Sequence, residues 1–376
     1  MKLVKILNCI IFSSLLIACK SPKEELLDIE KLTFDVASRF VDFNELSDDI
    51  EIIPLKVPDS VFIGKIHSLR HYADYFLLHD KHYAQALYIF DREGNYINHL
   101  QRIGPGPGEY ATIDSYMINN DVLTVYDRTS LNGIKYQLPH LNHLLTFSAE
   151  SYLMDILSLD RHDFSIAISD EFLNRDMYLG IVFLNEEFKN IYNIPKPSGI
   201  IEASEKGNLS NNEEKTFYAQ PFTETIYLLD SLGLLPLYQI DFGNKSLPKK
   251  AQHFIEAEEL YKVLNENDYA FAVHNFNLYD SLISFNYYWK NINNIRMGIY
   301  DLRNDRAILL NDIGSLNDYL LHPLDVSQGY NMTILYPGEY DKELLTEVGA
   351  TEDEIKTLGV SQPLIIRYRI NKFPEP

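Results

Sequence analysis

Cys19 is the residue whose chemistry the sequence defines most closely. It ends the run Leu16-Ile17-Ala18-Cys19, which resembles a lipobox, where a diacylglycerol is attached to the cysteine thiol before cleavage in front of it. The residues before it begin with two lysines and continue as an apolar stretch, Ile6 to Ala18. That stretch is shorter than the roughly 20 residues needed to cross a bilayer and has a signal-peptide layout. We predict a signal peptide over residues 1–18 and lipidation of Cys19.

The segment after this cysteine, residues 19–30, is predicted to be a flexible tether. Lys20 to Glu25 is polar, contains a proline and shows no apolar periodicity. It resembles the short acidic export tags of surface-exposed lipoproteins in the Bacteroidetes group, although any solvated linker has a similar composition. No Asp follows Cys19, so the common inner-membrane retention signal is missing. We predict an outer-membrane, lipid-anchored protein, with surface exposure and periplasmic orientation both left open.

The charge of the chain excludes some partners. The formal net charge is −21, and removal of residues 1–18 takes away two lysines, which leaves −23. Nucleic acid is excluded as a partner, and anionic headgroups would repel the body, so a cationic or neutral ligand is easier to accommodate. The only cysteines are Cys9, inside the signal, and Cys19. No disulfide is therefore expected, and the core must supply the stability.

The histidines are the first candidates for metal chemistry. The densest group is His67, His71, His79 and His82, whose spacing is not typical of a zinc site. His140 and His143 lie three apart, with no Cys or acidic partner close by. We favour strand-end and surface histidines over ligands in both groups, and predict no metal and no cofactor.

Two further stretches could carry binding chemistry. Gly104 to Glu109 reads Gly-Pro-Gly-Pro-Gly-Glu but lacks the Lys-Ser/Thr ending of a phosphate loop. We predict a sharp turn in which Glu109 accepts backbone hydrogen bonds. The only tryptophan, Trp289, lies in Asn286 to Asn291 among aromatic and amide residues that could bind a sugar. We favour a strand with an aromatic side chain buried between sheets.

The elements that must position these residues are predominantly β-strands. From about Ile50 the chain alternates short runs rich in Ile, Val, Tyr, Phe and Leu with Asp, Asn, Gly and Pro, and it holds 26 Tyr and 20 Phe. A recurring phrase is a strand that ends in Asp or Asn, turns and returns. It occurs at Asp91, Asp127, Asn185, Asp230 and Asp301. The acidic or amide side chain can cap the turn, and Gly94 or Gly233 can adopt a positive φ.

The spacing of these phrases is close to the roughly 40 to 50 residues of a propeller blade with inserted loops. The final run, Pro363 to Ile370, is predicted to pair near the early run Ile50 to Leu55 and close a ring. Residues 248–267 and 341–358, the latter interrupted around Gly349, have helical periodicity and are predicted as insertions between blades. Residues 202–215 are predicted to form an exposed loop.

With these phrases assembled, the chain resembles the six-bladed β-propeller lipoproteins of the Bacteroidetes group, distant relatives of NHL-repeat propellers. The most specific stretch is Leu87 to Tyr110, and the pairing of 225–227 with 238–243 supports it. The resemblance implies an all-β, six-bladed β-propeller with helical insertions over residues 31–376. It brings no established function and no catalytic residues.

No Gly-x-Ser-x-Gly, His-Glu-x-x-His or paired zinc-ligand motif is present. We therefore predict a non-enzymatic binding or scaffold module of the cell envelope, held at the membrane by the lipid on Cys19, with an envelope protein or a glycan as partner. The alternative is a propeller hydrolase or lyase with a cation or a His/Tyr site at the central channel. Three or four acidic, Asn or His side chains converging there at metal-ligand distance would favour the enzyme.

Overall fold

The computed structural model describes most of the chain after the predicted signal and tether. The described residues are 29–35, 38–41, 43–150, 153–158, 165–169, 180–195, 208–212, 215–220, 222–230, 233–249, 251, 257–312, 320, 322–358 and 362–374. Residues 1–28, which include Cys19, lie outside them, so the signal peptide and the lipidation stay predictions. Within the described ranges, no helix is both long and apolar enough to span a membrane.

Three of the sheets are antiparallel meanders of four consecutive strands. The first contains β4 (Ser68–Tyr72), β5 (Tyr75–Asp80), β6 (Ala86–Asp91) and β7 (Tyr96–Leu100). The second contains β8 (Ser115–Asn119), β9 (Val122–Asp127), β10 (Asn132–Gln137) and β11 (Asn142–Ser148). The third contains β12 (Leu153–Ser158), β13 (Ser165–Ser169), β14 (Gly180–Leu184) and β15 (Asn190–Pro195). Neighbouring strands along the chain therefore pair in space.

The two remaining sheets are larger because strands from the N-terminal part of the chain join them. The five-stranded sheet has the order β2 (Ser38–Phe40), β23 (Arg306–Asp312), β22 (Asn291–Asp301), β21 (Leu282–Trp289), β20 (Ala270–Tyr279). The nine-stranded sheet begins with β1 (Glu30–Thr33), β19 (Gly233–Asp241), β18 (Thr225–Asp230), β17 (Lys215–Gln220) and β16 (Leu209–Asn212). It continues with β24 (Asp325–Ser327), β25 (Tyr330–Leu335), β26 (Leu364–Tyr368) and β3 (Ile50–Pro54).

The nine-stranded sheet consists of two four-stranded groups joined at one point, with β1 added in parallel to the outer strand β19 of the first group. The groups β16 to β19 and β24, β25, β26, β3 meet in a single parallel pair, Asn211 with Ser327. In the second group the outer strand β3 comes from the N-terminal part of the chain and runs antiparallel to β26, with Ile52 opposite Ile366. The predicted pairing of the final run with the early run is confirmed.

The predicted turn chemistry is confirmed at three positions. Asp91 Oδ1 accepts hydrogen bonds from the backbone of Glu93 and Asn95, at 3.0 and 2.7 Å, and Gly94 has a φ of +74°. Asn185 and Asp301 cap the turns after β14 and β22 in the same way. The side chain of Asp230 lies outside the described residues.

The phrase at Asp127 occupies a different position in its sheet. Asp127 also caps a turn, through the backbone of Thr129 at 2.9 Å. However, it follows the second strand of its meander, whereas the other four phrases end the third strand. The phrase therefore does not mark the same strand in every sheet, because an Asp cap stabilises the tight turn after either strand.

The first predicted helical segment is confirmed in its described part: α1 (Ala257–Asn265) lies along the chain between β19 and β20, which belong to different sheets, and residues 250 and 252–256 lie outside the described residues. The second forms α2 (Lys342–Glu347) and α3 (Glu352–Leu358), and the interruption at Gly349 has a φ of +86°. Its predicted place between blades was wrong, because it connects β25 to β26, which pair with each other.

The predicted loop over 202–215 was also wrong for its described part, since Leu209–Asn212 forms β16. Short 3-10 helices occur at Phe43–Glu45 and at Gly243–Lys245.

Glu224 ties two neighbouring sheets together. It lies in the turn between β17 and β18, is 3 % exposed, and accepts hydrogen bonds from the backbone of Ala272 and Val273 on β20, both at 2.8 Å. Burial raises the pKa of this carboxyl group to about 7, partly offset by the two N–H donors. The carboxylate therefore bonds two otherwise unpaired N–H groups at a cost in desolvation.

We predict that Glu224→Gln changes both the stability and its pH dependence. The amide nitrogen would face a backbone N–H, so one donor is left unpaired and the free energy of unfolding falls by about 1–3 kcal/mol at pH 5. In the wild type, the folded state holds a proton between the unfolded pKa and about 7, so this carboxyl group lowers stability as pH rises through that window. The variant lacks this contribution.

Urea unfolding of both proteins between pH 4.5 and 8 measures the difference. Glu339→Gln is the control, because Glu339 accepts a backbone hydrogen bond from Tyr336 at 2.8 Å at an exposed site. A difference between wild type and Glu224→Gln that stays constant with pH would contradict the prediction.

Candidate functional site

The first strands of the four-stranded groups line one cavity of about 910 Å³. These strands are β4, β8, β12, β16, β20 and β24. Four of them, β4, β8, β12 and β20, are the edge strands of their sheets. An edge strand has backbone groups without a ladder partner, so its surroundings must supply polar contacts. The cavity wall accordingly contains many polar residues, with Ser115, Asn119, Ser158, Ser210 and Asn211 among them.

Arg70 on β4 links three of these strands. Its Nη1 donates to the backbone oxygens of Tyr116 on β8 and Ile156 on β12, the latter at 2.9 Å. Its Nη2 donates to Asp155 Oδ1 at 3.1 Å, and the guanidinium lies 4.8 Å from the centre of the Tyr116 ring. The planar guanidinium therefore meets acceptors on two other sheets at once.

Asp325 lies at the start of β24, with its side chain in the same wall. Its Oδ2 is buried and has no hydrogen-bond partner among the described residues. Burial raises the pKa of this carboxyl group to about 6, Asp155 raises it further, and Arg70 offsets part of the shift. Asp325 can therefore gain or lose a proton near neutral pH, which is the property of a proton-transfer or binding group.

Two arginines stack on one tyrosine where the first strands end. The guanidinium carbons of Arg367 and Arg369 lie 3.4 and 3.7 Å from the centre of the Tyr330 ring. Arg367 forms an ion pair of 2.9 Å with Glu51, and Arg369 one of 3.3 Å with Asp49. Both arginines and the tyrosine line the cavity. We call this group the arginine–tyrosine stack: Tyr330, Arg367 and Arg369.

Three members of the predicted histidine group line the cavity. They are His67, His71 and His79. Burial, and then Arg367, lower the pKa of His71 to about 4, so it is neutral at physiological pH. His67 Nε2 lies 3.0 Å from Nε2 of His82. In the part of the chain that is described, no three His, Cys, Asp or Glu side chains are placed to hold a metal ion.

The other predicted stretches take structural positions. Glu109 Oε2 accepts a hydrogen bond of 2.8 Å from the backbone of Gly106, in the turn that leads from the first meander to the second, which confirms that prediction. Trp289 is 7 % exposed and packs in a hydrophobic cluster, with Arg296 at 4.8 Å from its ring. The favoured assignment of a buried aromatic is confirmed. The ring of His143 lies edge-on to that of Tyr136, and His143 is hydrogen-bonded to Thr146.

The residues that dominate the cavity were missed by the sequence analysis. They are Arg70, Asp155, Asp325, Arg367 and Arg369. One signal was available, because two arginines alternate at the end of an otherwise apolar run, Leu364 to Ile370, and so share one face of a strand. Arg70 and Asp155 gave no such signal, since their proximity depends on how separate sheets are arranged.

A mainly β chain whose four-stranded sheets contribute first strands to a common cavity is a propeller-like protein. The chain belongs to the family described as Domain of unknown function (DUF4934), whose model matches residues 31–361. It is similar to the crystal structure of a "Putative exported protein" from Bacteroides fragilis NCTC 9343, with 16% identity and a TM-score of 0.71. That likeness covers 91% of this chain and 100% of the other.

Two further solved structures are similar at lower scores. The RRP9 WD40 repeats match with 12% identity, a TM-score of 0.40 and coverage of 86% and 99% of the two chains. U3-55K matches with 11% identity, a TM-score of 0.42 and coverage of 85% and 99%. No curated protein sequence gives a significant match.

We predict that Asp325→Asn stabilises the protein at neutral pH. The folded-state pKa of about 6 exceeds the usual aspartate value of 3.8, so the wild type loses stability as pH rises from about 4 to about 6. The neutral amide avoids this loss, and we expect a gain of about 1–3 kcal/mol in the free energy of unfolding at pH 7.5. Such a gain is typical of a residue kept for function.

Asp114→Asn is the matched control, because Asp114 lines the same cavity but lies 3.6 Å from Arg128 and 3.8 Å from Lys81. Thermal and urea unfolding at pH 4 and pH 7.5 measure both variants. Equal or lower stability of Asp325→Asn at pH 7.5 would contradict the prediction.

Proposed function

We propose that the protein is a lipid-anchored protein of the cell envelope whose six-bladed propeller body binds a ligand in the central cavity. The observation that carries the proposal is the cavity itself, a space of about 910 Å³ with a polar wall. Small-molecule sites in proteins enclose about 300–1,000 Å³ and combine shape with a few placed polar groups. A binding role needs no catalytic residue, which agrees with the absence of local catalytic motifs from the sequence.

Six blades are supported by the strand pairing. Three meanders stand alone, the five-stranded sheet supplies a fourth group, and the nine-stranded sheet supplies two. Each group contributes its first strand to the cavity wall. The antiparallel pairing of β3 with β26 joins the two ends of the chain, as expected of a closed ring.

The wall of the cavity contains polar atoms that lack partners, and this supports a bound ligand. Buried polar groups in proteins are normally hydrogen-bonded, and exceptions call for a ligand, water or ion. Cavity-lining residues with a buried, unpartnered side-chain atom among the described residues include Ser158, Ser210, Asp325, Ser327, Arg367 and Arg369.

The location rests on the sequence and on one structural neighbour. The signal peptide and the lipobox ending at Cys19 support export and anchoring. The similar Bacteroides fragilis protein is itself named as a putative exported protein. An outer-membrane position follows from the missing Asp after Cys19 and from the acidic tether.

A propeller hydrolase or lyase is the second candidate, and Asp325 is the observation that favours it. A buried carboxyl group with a pKa of about 6 is suited to general acid–base catalysis. For an enzyme that uses a bound cation, no three His, Cys, Asp or Glu side chains among the described residues are placed to hold the metal ion. Turnover of a sugar or lactone that is lost in Asp325→Asn would replace the binding proposal with the enzyme.

We predict that Cys19→Ala abolishes lipid attachment in the full-length chain. In cells labelled with radioactive palmitate, we expect a labelled band for the wild type and no label in the variant. We also expect the variant to be lost from the outer-membrane fraction. Cys9→Ala is the matched control, because Cys9 lies inside the predicted signal peptide. The control should keep both label and membrane location. Palmitate on Cys19→Ala would refute the anchor.

We predict that Ser210→Phe prevents ligand retention. Ser210 lines the cavity and is 5 % exposed, so an aromatic ring there would fill part of the space. Wild-type lipoprotein is isolated gently from its own cells, and the small molecules released on denaturation are identified by mass spectrometry. The released compound should be absent from Ser210→Phe and present in Ser210→Ala, with both variants shown to fold by thermal unfolding. Equal retention by Ser210→Phe would overturn cavity binding.

A further inference from the structure

We infer that the cavity takes a small molecule bearing an oxyanion, held by the arginine–tyrosine stack. This inference rests on the proposed function, because it names the chemistry of the ligand that the cavity binds. It departs from the expectation of a cationic or neutral ligand, which came from the net charge of −21 over the whole chain.

The stack holds its guanidinium groups in place before a ligand arrives. Tyr330 lies against both arginines, and the Tyr279 ring centre is 4.5 Å from the guanidinium carbon of Arg369. The ordering cost of two long side chains is therefore already met in the free protein. Guanidinium planes stacked on aromatic rings keep their N–H edges free to form hydrogen bonds.

The counter-ions of the stack come from the outer side of the sheet. Glu51 lies on β3 directly opposite Arg367 in the β3–β26 ladder, and Asp49 precedes the same strand. Neither carboxylate lines the cavity, whereas both arginines do. In addition, Nε of each arginine is buried without a hydrogen-bond partner among the described residues. Each guanidinium is thus anchored from behind by a carboxylate, while the arginine itself lines the cavity.

Negatively and positively charged side chains line different parts of the cavity. The lining carboxylates are Asp114, next to Arg128 and Lys81, Asp155, bonded to Arg70, and Asp325 at the start of β24. Among the described residues, the end where the first strands finish has arginines without lining carboxylates. Its other lining residues there include the neutral groups Tyr72, Asn119, Asn120, Asn211 and Gln328. Arg92 also lines this end, and burial, followed by the charge of Arg367, lowers the pKa of His71 there.

These groups define the ligand by its chemistry. A guanidinium donates two parallel hydrogen bonds to a carboxylate, sulfate or phosphate group. Side-chain amides such as Asn119 and Gln328 can donate to and accept from hydroxyl groups. A volume of about 910 Å³ is more than an inorganic ion needs. The chemistry therefore fits a polyhydroxylated anion, an acidic or esterified sugar, better than a free ion.

Isothermal titration calorimetry on the detergent-solubilised mature lipoprotein tests the inference. The probes are glucuronate, glucose 6-sulfate and glucose 6-phosphate, with glucose as the neutral match and inorganic sulfate and phosphate as free ions. We expect at least one sugar anion to bind at least tenfold more tightly than glucose, and more tightly as ionic strength falls. The sugar anion that binds most tightly identifies which oxyanion the arginine–tyrosine stack prefers.

The double variant Arg367→Gln/Arg369→Gln is expected to weaken that binding at least tenfold. Arg303→Gln is the matched control, because Arg303 is exposed, pairs with Asp280 and lies outside the cavity lining. It should bind as the wild type does. Near-ultraviolet circular dichroism of the double variant shows whether the aromatic side chains, including Tyr330, keep their folded surroundings. If the double variant does not fold, binding is measured instead with the single variants Arg367→Gln and Arg369→Gln.

Failure of the inference can be told apart from failure of the proposed function. No anion binding, binding equal to that of glucose, or binding that the arginine variants leave unchanged would overturn the oxyanion inference. The proposed function would still stand if Ser210→Phe abolishes retention of the native ligand. Anion binding that Ser210→Phe leaves intact would place the site elsewhere and overturn both.

Discussion

The fold requires hydrogen-bond donors for the backbone oxygens that the first strands expose at the cavity, and the guanidinium of Arg70 supplies them. First strands that face a central space expose backbone oxygens with no ladder partner, and an unpaired buried carbonyl costs about 1–3 kcal/mol. Arg70 donates to such oxygens on β8 and β12 and to Asp155, so one side chain joins three sheets. Because arginine stays charged and offers five donors, it can do so where a lysine would satisfy fewer acceptors.

The same requirement explains why the cavity is polar. A wall of apolar residues would leave the edges of the first strands without partners, so serines, asparagines and charged groups occupy them. Many apolar side chains pack instead between the sheets. For example, Leu77, Leu87 and Ile89 of the first meander pack with Tyr116 and Val125 of the second. The polar groups that pair with the backbone at the sheet edges therefore also give the cavity its capacity to bind a ligand. Particular side chains then determine which ligand it binds.

The sequence predicted those parts of the fold that depend on local chemistry. Asp91 and Gly94 specify their turn through contacts within five residues, and the break in helical periodicity at Gly349 was visible in the same local way. The pairing of β3 with β26 was predictable because both runs are apolar and lie at the ends of the chain. The position of Asp127 in its sheet was not predictable, since the same cap can follow either the second or the third strand of a meander. The cavity residues that approach one another across sheets far apart in sequence left no local pattern to reveal them.

The N-terminal strands give the body a particular way of bearing load. After the tether, β1, β2 and β3 occupy the outer edges of three different four-stranded groups. A pull applied to the chain ahead of Glu30 reaches the body first through β1, whose residues Glu30 to Thr33 pair in parallel with Tyr238 to Asp241. A parallel pair pulled along its length is loaded in shear, so its hydrogen bonds resist together. Force that exceeds this pair passes to β2 and then β3, so each strand protects the next from a pull on the N-terminal part of the chain.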